Sequence, residues 1–236
     1  MNLLKSLIEL FLPRVCHVCN EKLTDDEEFI CRQCVEKLPR TGYEKYWANT
    51  TPVNSDLNPL EQRFAGQLPM ERGCSPFFYT RDSALASLIH DFKYRGFSRL
   101  AVTMGKIGAS QLKDSGLFDG VDLLLPVPIH RSKRFKRGYN QSEELAYGIS
   151  AVTAIPVAGN LKAVRAHRTQ TSLNAHQRIE NTKGVFGVSD PQALSGKTVM
   201  LVDDICTTGA TLLSAGEAVV KASQNVKLRF FTLGVV

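Results

Sequence analysis

Short apolar runs alternate with amphipathic segments along the chain from about residue 74 onward. In residues 83–94, apolar side chains fall at positions 85, 88, 89 and 92, which is the spacing of a helix that buries one face. The pattern predicts strands over 74–79, 121–128, 197–204 and 226–236 and helices over 83–94, 100–112, 142–153 and 210–223. Strands that alternate with helices predict an α/β fold, in which a parallel sheet carries helices on both faces.

Cysteine residues dominate the N-terminal part of the chain. Two Cys-x-x-Cys pairs, Cys16/Cys19 and Cys31/Cys34, stand eleven residues apart. Four thiolates at this spacing can surround one ion, and their softness selects zinc or an iron–sulfur cluster. A segment this short has too little core to fold by burial alone, so a bound metal would supply folding free energy. Disulfides are the alternative, but nothing marks the chain as secreted, and we predict a structural zinc site.

Residues 41–73 are rich in turn formers and show no periodicity. They predict a linker, or an ordered loop region, between an N-terminal helix with a zinc-binding module, over residues 1–40, and a main domain over residues 74–236. Apolar side chains recur at helical spacing in residues 3–11, which favours a helix packed on its own domain over one bound to a membrane surface.

The sequence lacks the features of a membrane or secreted protein. No run of eighteen apolar residues occurs, so no membrane span is predicted. Lys5 and Glu9 interrupt the apolar N-terminal segment, which is therefore a poor signal peptide. We expect a cytoplasmic protein.

Positive charge is concentrated in residues 131–183. This segment holds ten Lys or Arg against three Asp or Glu, whereas the net charge of the whole chain is +6. A field so concentrated attracts polyanions, either phosphorylated small molecules or nucleic acid. The alternative, a solvated basic face, would normally intersperse acids.

The stretch LVDDICTTGATL (201–212) places two carboxylates where a predicted strand leads through a turn into a helix. Ligands of parallel sheets bind beyond the carboxyl ends of the strands. Free backbone N–H groups at the turn and helix start, together with the threonine hydroxyls and the helix dipole, suit an anion. Asp203 and Asp204 would repel a bare phosphate, so they need sugar hydroxyls or a bridging magnesium ion. The stretch therefore predicts a phosphorylated sugar as the ligand.

Two other motifs carry less weight. Cys206 has no histidine nearby in sequence, which argues against a catalytic nucleophile. Residues 195–198, Ser-Gly-Lys-Thr, resemble the end of a P-loop, but Pro191 stands where its first glycine belongs and a strand follows. We interpret this segment as a turn.

Four stretches carry a resemblance to known families. VMLVDDICTTGATL (199–212) resembles the phosphoribosyl-pyrophosphate (PRPP) motif of type I phosphoribosyltransferases. ALASLIHDFKYRG (84–96), PVPIHRSKRFKRGYNQSEELA (126–146) and HRTQTSLNAHQRIEN (167–181) extend the resemblance to the ComF family. Its members pair a four-cysteine zinc module with a phosphoribosyltransferase domain. The resemblance implies a type I phosphoribosyltransferase-like parallel sheet flanked by helices, with a small N-terminal zinc-binding module.

The resemblance also implies roles for individual residues. The ribose hydroxyls of magnesium-bound PRPP would be held by Asp203 and Asp204. The 5-phosphate would be held by Thr207, Thr208, Gly209, Ala210 and Thr211. Pyrophosphate or DNA would meet arginines in the loop after the 121–128 strand, namely Arg131, Arg134 and Arg137. A flexible loop that closes over the substrate would begin with Arg165 and Arg168.

Two functions follow from the sequence, and they are compatible. The first is an enzyme that transfers the phosphoribosyl group of PRPP to a nitrogen nucleophile, in nucleotide metabolism or in support of DNA uptake. The second is a non-enzymatic accessory protein that binds single-stranded DNA through the basic segment 131–183, with Phe135 and Tyr139 as stacking surfaces. The ComF family is associated with DNA uptake during natural transformation, so the DNA-uptake machinery is an expected partner.

Overall fold

The structure is a computed structural model that describes residues 13–47, 57–164 and 184–236. Its centre is a five-stranded parallel sheet. The sheet strands are β1 (Met70–Cys74), β2 (Phe77–Phe78), β3 (Leu123–Pro126), β6 (Thr198–Cys206) and β7 (Lys227–Val235). A separate antiparallel pair is formed by β4 (Leu161–Ala163) and β5 (Phe186–Val188).

Helices surround the sheet. They are α1 (Arg32–Glu36), α2 (Pro59–Gln62), α3 (Ala84–Tyr94), α4 (Ser98–Leu112), α5 (Arg131–Arg137), α6 (Gln141–Thr153) and α7 (Ala210–Ala222), with short 3-10 turns at Tyr43–Trp47 and Lys113–Ser115. Of the helices in the described ranges, none is long and apolar enough to cross a membrane.

The sheet order is β1-β7-β6-β3, and β2 continues the line of β1 along β7. In β6, residues 199–204 are all buried, as in a strand that is covered on both faces. This burial explains why residues 199–202 form a continuous apolar run in the sequence. On one side, α4 and α6 cross in contact because Gly105 carries no side chain. A Cβ there would lie 2.2 Å from the carbonyl oxygen of Leu145.

The predicted α/β fold is confirmed, and the predicted helices match observed ones closely. The predicted strand over 74–79 is two strands, since Ser75 and Pro76 separate β1 from β2. The prediction that residues 131–137 lie in a loop is wrong, because they form α5. This helix is short and has no buried residue, so it shows no apolar periodicity in the sequence.

The described part of the predicted linker contributes to the core. Asn58 and Glu61 form a capping box at the start of α2, and both side chains are buried. Leu60 and Phe64 are buried beside them. The polar side chains of Asn58 and Glu61, in a segment that the sequence predicts as a linker, therefore form hydrogen bonds inside the protein. The division into a module over 1–40, a linker over 41–73 and a domain over 74–236 stays a prediction.

Candidate functional site

Two buried carboxylates lie at the carboxyl end of β6. Asp203 accepts a hydrogen bond from the Ser142 hydroxyl at 2.9 Å. Asp204, which is only 5% exposed, pairs with the Lys93 ammonium group at 2.7 Å through its Oδ1 atom. The Oδ2 atom of Asp204 is buried and has no hydrogen-bond partner among the described residues. Because a buried carboxylate oxygen without a partner is costly, this atom indicates where a ligand atom belongs.

Burial changes the ionisation of the pair. Burial first, and the neighbouring Asp204 charge second, raise the pKa of Asp203 from 3.8 to about 7. Hydrogen bonds from the Asp204 backbone and from Ser142 oppose this rise, as does the charge of Lys93. At pH 7 about half of the Asp203 carboxyls therefore carry a proton, which a bound cation or a set of hydroxyl donors would displace.

The turn after β6 is exposed, unlike the acid pair. Thr207 and Thr208 are exposed, and Gly209 stands at the start of α7 with no side-chain cap. The Thr208 hydroxyl accepts a hydrogen bond from the Ala210 N–H at 3.4 Å. The N-cap residue Gly209 supplies no side-chain acceptor, and the positive end of the dipole of this thirteen-residue helix lies beside the turn.

Gly209 is required by its surroundings. Its φ is +83°, a conformation that costs an L-residue free energy, and a Cβ there would lie 2.9 Å from the Phe64 ring. The guanidinium of the neighbouring Arg63 donates to the carbonyl oxygens of Thr207 and Val236. Residues 63 and 64 therefore support the turn, and Arg63 supplies a positive charge beside it.

Helix α5 presents its cations to two separate cavities. Arg131 and Arg134 line a cavity of about 640 Å³ that also contains Glu143 and Lys162. Arg134 pairs with Glu143 at 3.4 Å, so part of the charge on this side is neutralised. The positions 131 and 134 are three apart and share one helix face.

The other face of α5 borders a cavity of about 590 Å³ lined by Lys133, Lys136 and Arg137 together with Lys93, Tyr94 and Gly96. No carboxylate is among these lining residues. Burial, followed by the charges of Arg137 and Lys93, lowers the pKa of Lys133. Tyr94 is 68% exposed, and the Arg137 guanidinium lies 5.4 Å from its ring centroid. We call this the cationic cavity.

The four cysteines are close enough to share one ion. Their sulfur atoms all lie within 4.8 Å of one another, and those of Cys19 and Cys31 are 3.7 Å apart. A tetrahedral zinc site with Zn–S bonds of about 2.3 Å has S···S edges of about 3.8 Å, so the cluster fits zinc. Although burial opposes it, N–H groups of Cys31, Cys19 and Val18 lower the pKa of the Cys16 thiol to about 7, which favours a thiolate ligand.

Comparisons with known proteins agree with this geometry. Residues 136–233 match the family model of the phosphoribosyl transferase domain, a span that includes the acid pair and the turn. The chain is 31% identical to Competence protein F of Haemophilus influenzae over 133 residues, which cover 54% of this chain and 58% of that protein, less than two thirds of its length. It is 25% identical to DNA utilization protein YhgH of Salmonella typhi, with 90% and 93% covered. It is 24% identical to Competence protein ComFC of Bacillus subtilis, with 93% and 83% covered.

These matches support a ComF family protein with a phosphoribosyl transferase domain. The residues predicted for the ribose and the phosphate lie on one connection between β6 and α7. The arginines predicted for pyrophosphate or DNA do not form one group, since Arg137 lines the cationic cavity and Arg131 and Arg134 line the other. Arg165 and Arg168 lie outside the described residues.

Several residues of the site escaped sequence analysis. Lys93, Ser142 and Arg63 come from segments far from the PRPP motif, and only the fold brings them to it. Lys93 lies within the quoted stretch 84–96, but a lysine near the end of a helix is ordinary. Cys206 is buried, and burial raises its pKa to about 11, which does not suit a nucleophile.

Proposed function

We propose that this protein binds magnesium-bound PRPP or a related phosphorylated ribose at the carboxyl end of β6. The observation that carries the proposal is the buried Asp204 Oδ2 atom, which has no partner among the described residues and lies six residues before the first residue of α7, whose N-cap Gly209 supplies no side-chain acceptor. Ribose hydroxyls would donate to Asp203 and Asp204, and the 5-phosphate would accept hydrogen bonds from residues 207–211.

The acid pair also fits magnesium, which prefers carboxylate oxygens. When bound, the ion would neutralise charge on the diphosphate of PRPP. The Lys93 ammonium group at 2.7 Å from Asp204 would offset the negative charge of the pair until the ligand arrives. Because the carboxylates must ionise, ligand binding should release a proton below about pH 7.

As an enzyme, the protein would be a phosphoribosyltransferase of the glycosyltransferase class. The bond between ribose C1 and pyrophosphate would break, a bond from C1 to a nitrogen of the acceptor would form, and that nitrogen would lose its proton. The cations of α5 would stabilise the departing pyrophosphate. Both this activity and the DNA-binding alternative would operate in the cytoplasm, where reducing conditions keep the cysteines available for zinc.

Calorimetry with magnesium-PRPP and with ribose 5-phosphate tests the binding proposal. We expect the wild type to bind both ligands and the Asp203→Ala/Asp204→Ala variant to lose at least about 100-fold in affinity, because two charged hydrogen-bond acceptors are removed. The matched control is Asp114→Ala, at an exposed carboxylate away from the site. Equal affinity of all three proteins would refute the site. Release of pyrophosphate in the presence of a panel of nitrogen acceptors would then establish turnover.

The cationic cavity favours a second candidate function, the binding of single-stranded DNA. The cavity is lined by cationic side chains and by the exposed ring of Tyr94, and no carboxylate is among its lining residues. On the same helix α5, the Phe135 side chain is 94% exposed. Cations that follow a backbone and aromatic faces that stack bases are what single-stranded DNA requires. The relatives named for competence and DNA utilization support this proposal.

Fluorescence anisotropy with a labelled single-stranded oligonucleotide separates the two faces of α5. We expect Lys136→Gln/Arg137→Gln to weaken binding about tenfold and to reduce its salt dependence, since about two phosphate contacts are lost. The matched pair Arg131→Gln/Arg134→Gln should have a smaller effect, because Arg134 is already paired with Glu143. Binding that is absent, or insensitive to salt, would argue against this function.

A further inference from the structure

Three consecutive residues in the last turn of α3 connect three parts of the molecule. Asp91 contacts His17 of the cysteine module at 2.8 Å. The carbonyl oxygen of Phe92 accepts a hydrogen bond from the Tyr139 hydroxyl, which follows α5. Lys93 pairs with Asp204 of the acid pair. The end of α3 thus lies between the predicted zinc site and the proposed ligand site.

The position of Asp91 near the end of α3 is unfavourable for the stability of that helix considered alone. Its carboxylate lies near the negative end of the helix dipole and is only 4% exposed, so both the dipole and burial disfavour its charge. Three groups lie beside it: the Nδ1 atom of His17 at 2.8 Å, the Arg95 guanidinium at 3.2 Å and, more distant, the Nδ1 atom of His90 at 4.0 Å. An acid that breaks a local preference in this way indicates a role beyond helix formation.

His17 reaches Asp91 only because of the cysteine loop around it. The residue lies between Cys16 and Cys19, and its ring packs edge-on against Phe97 and Phe29, at centroid distances of 4.7 Å and 5.6 Å. A metal that joined the four cysteines would fix His17, which stands between two of the ligands, because a short segment of this kind gains folding free energy from its metal. Loss of the metal would therefore release His17 from Asp91.

A second contact joins the module to α4 without involving α3. Glu28 accepts hydrogen bonds from Arg99 at 3.3 Å and from the Thr103 hydroxyl at 2.9 Å. It attaches the same module to a helix that does not carry Lys93. Glu28 therefore offers a matched control for any effect that is specific to His17.

We propose that His17 and Asp91 are positioning residues that hold Lys93 beside Asp204 and thereby make ligand affinity at the acid pair depend on the metal in the four-cysteine cluster. The effect on ligand affinity rests on the proposed function. The effect on α3 does not, because it concerns contacts within the protein alone.

Calorimetry with magnesium-PRPP on zinc-loaded proteins tests the ligand effect. We expect His17→Ala to bind about five- to tenfold more weakly than the wild type, a typical coupling between sites. His17→Asn should restore most of the affinity, since its amide nitrogen can take the place of Nδ1 as donor to Asp91. Glu28→Gln should bind like the wild type. Zinc content, measured for each variant, must stay at one ion per chain, and equal affinities under that condition overturn the proposal.

Linkage requires the reverse effect as well. Competition with a zinc-selective chelator should show a zinc affinity about five- to tenfold higher in saturating magnesium-PRPP than without it, because coupling between two binding equilibria is reciprocal. In His17→Ala the ligand should leave the zinc affinity unchanged. The same increase in the variant would overturn the role of His17.

Hydrogen exchange separates this inference from the proposed function. Removal of zinc, or His17→Ala with zinc bound, should speed exchange in peptides that cover the end of α3, whereas Glu28→Gln should not. If the wild type binds no PRPP but the exchange result holds, the proposed function fails and the positioning role stands. Unchanged exchange at the end of α3 in both cases overturns the positioning role whatever the ligand result.

Discussion

The connection from β6 to α7 has two halves that present their polar groups in opposite ways. In the first half, Asp203 and Asp204 are buried, and side chains from other segments fix them. In the second half, residues 207 and 208 are exposed, and the groups offered are backbone N–H groups and hydroxyls. The comparison teaches that the buried carboxylates depend on side chains from other segments, whereas the proposed phosphate cradle, residues 207–211, depends on a backbone conformation that Gly209 permits and that Arg63 and Phe64 support. Mutations in the two halves should therefore change the stability and the ligand affinity of the protein in different ways.

The largest effect is expected from a change in backbone conformation at the cradle. Gly209→Ala should destabilise the protein by about 2–4 kcal/mol, because it adds an unfavourable φ to a collision with Phe64. Gly66→Ala is the matched control, since its φ of +73° is similar but nothing lies within 4 Å of the added Cβ. It should cost only about 1–2 kcal/mol. Urea unfolding measures both, and equal losses would contradict the collision with Phe64.

The next effect concerns the ionisation of the acid pair. The pKa of Asp203 is raised in the folded state, so its charge lowers stability as pH rises from 3.8 toward 7 and keeps it lower above that range. Asp203→Asn should therefore stabilise the protein by about 1–3 kcal/mol at pH 8 and have little effect at pH 4. Asn keeps an acceptor for Ser142. Unfolding free energies at the two pH values test this, and a gain that is independent of pH would rule out the charge as its cause.

The smallest effect is expected from a mutation of Arg63, which supports the turn through its hydrogen bond to Thr207. Arg63→Gln removes a positive charge and two donors beside the cradle, and we expect a loss of about 1 kcal/mol in the affinity for ribose 5-phosphate. Ribose without the phosphate is the matched ligand, and its binding should not change. A loss for both sugars would mean that Arg63 supports the acid pair as well as the cradle.

Much of the fold could be predicted from local sequence. The apolar runs and helical spacings predicted the bounds of β3, β6, β7 and four helices to within a few residues, because each of these elements buries apolar side chains at a regular spacing. The PRPP motif was recognisable because its residues are consecutive. Helix α5 was missed because its residues are mostly basic and none is buried.

The partners of the acid pair could not be predicted, for a different reason. Lys93 lies 111 residues from Asp204, and Ser142 lies 61 residues from Asp203. No local pattern distinguishes them from an ordinary lysine near a helix end and an ordinary serine in the first turn of a helix. Their contacts depend on how α3 and α6 pack on the sheet, which periodicity does not specify.

The position of β7 has a consequence for synthesis of the protein. This nine-residue strand lies between β1 and β6, yet it follows both in the chain. While a ribosome makes the protein, β1 emerges early and waits for its neighbour, since Met70 pairs with Leu228. Pairing between such distant segments is slow and leaves strand edges open to aggregation. The central sheet is thus protected only when β7 inserts between β1 and β6, which are already made.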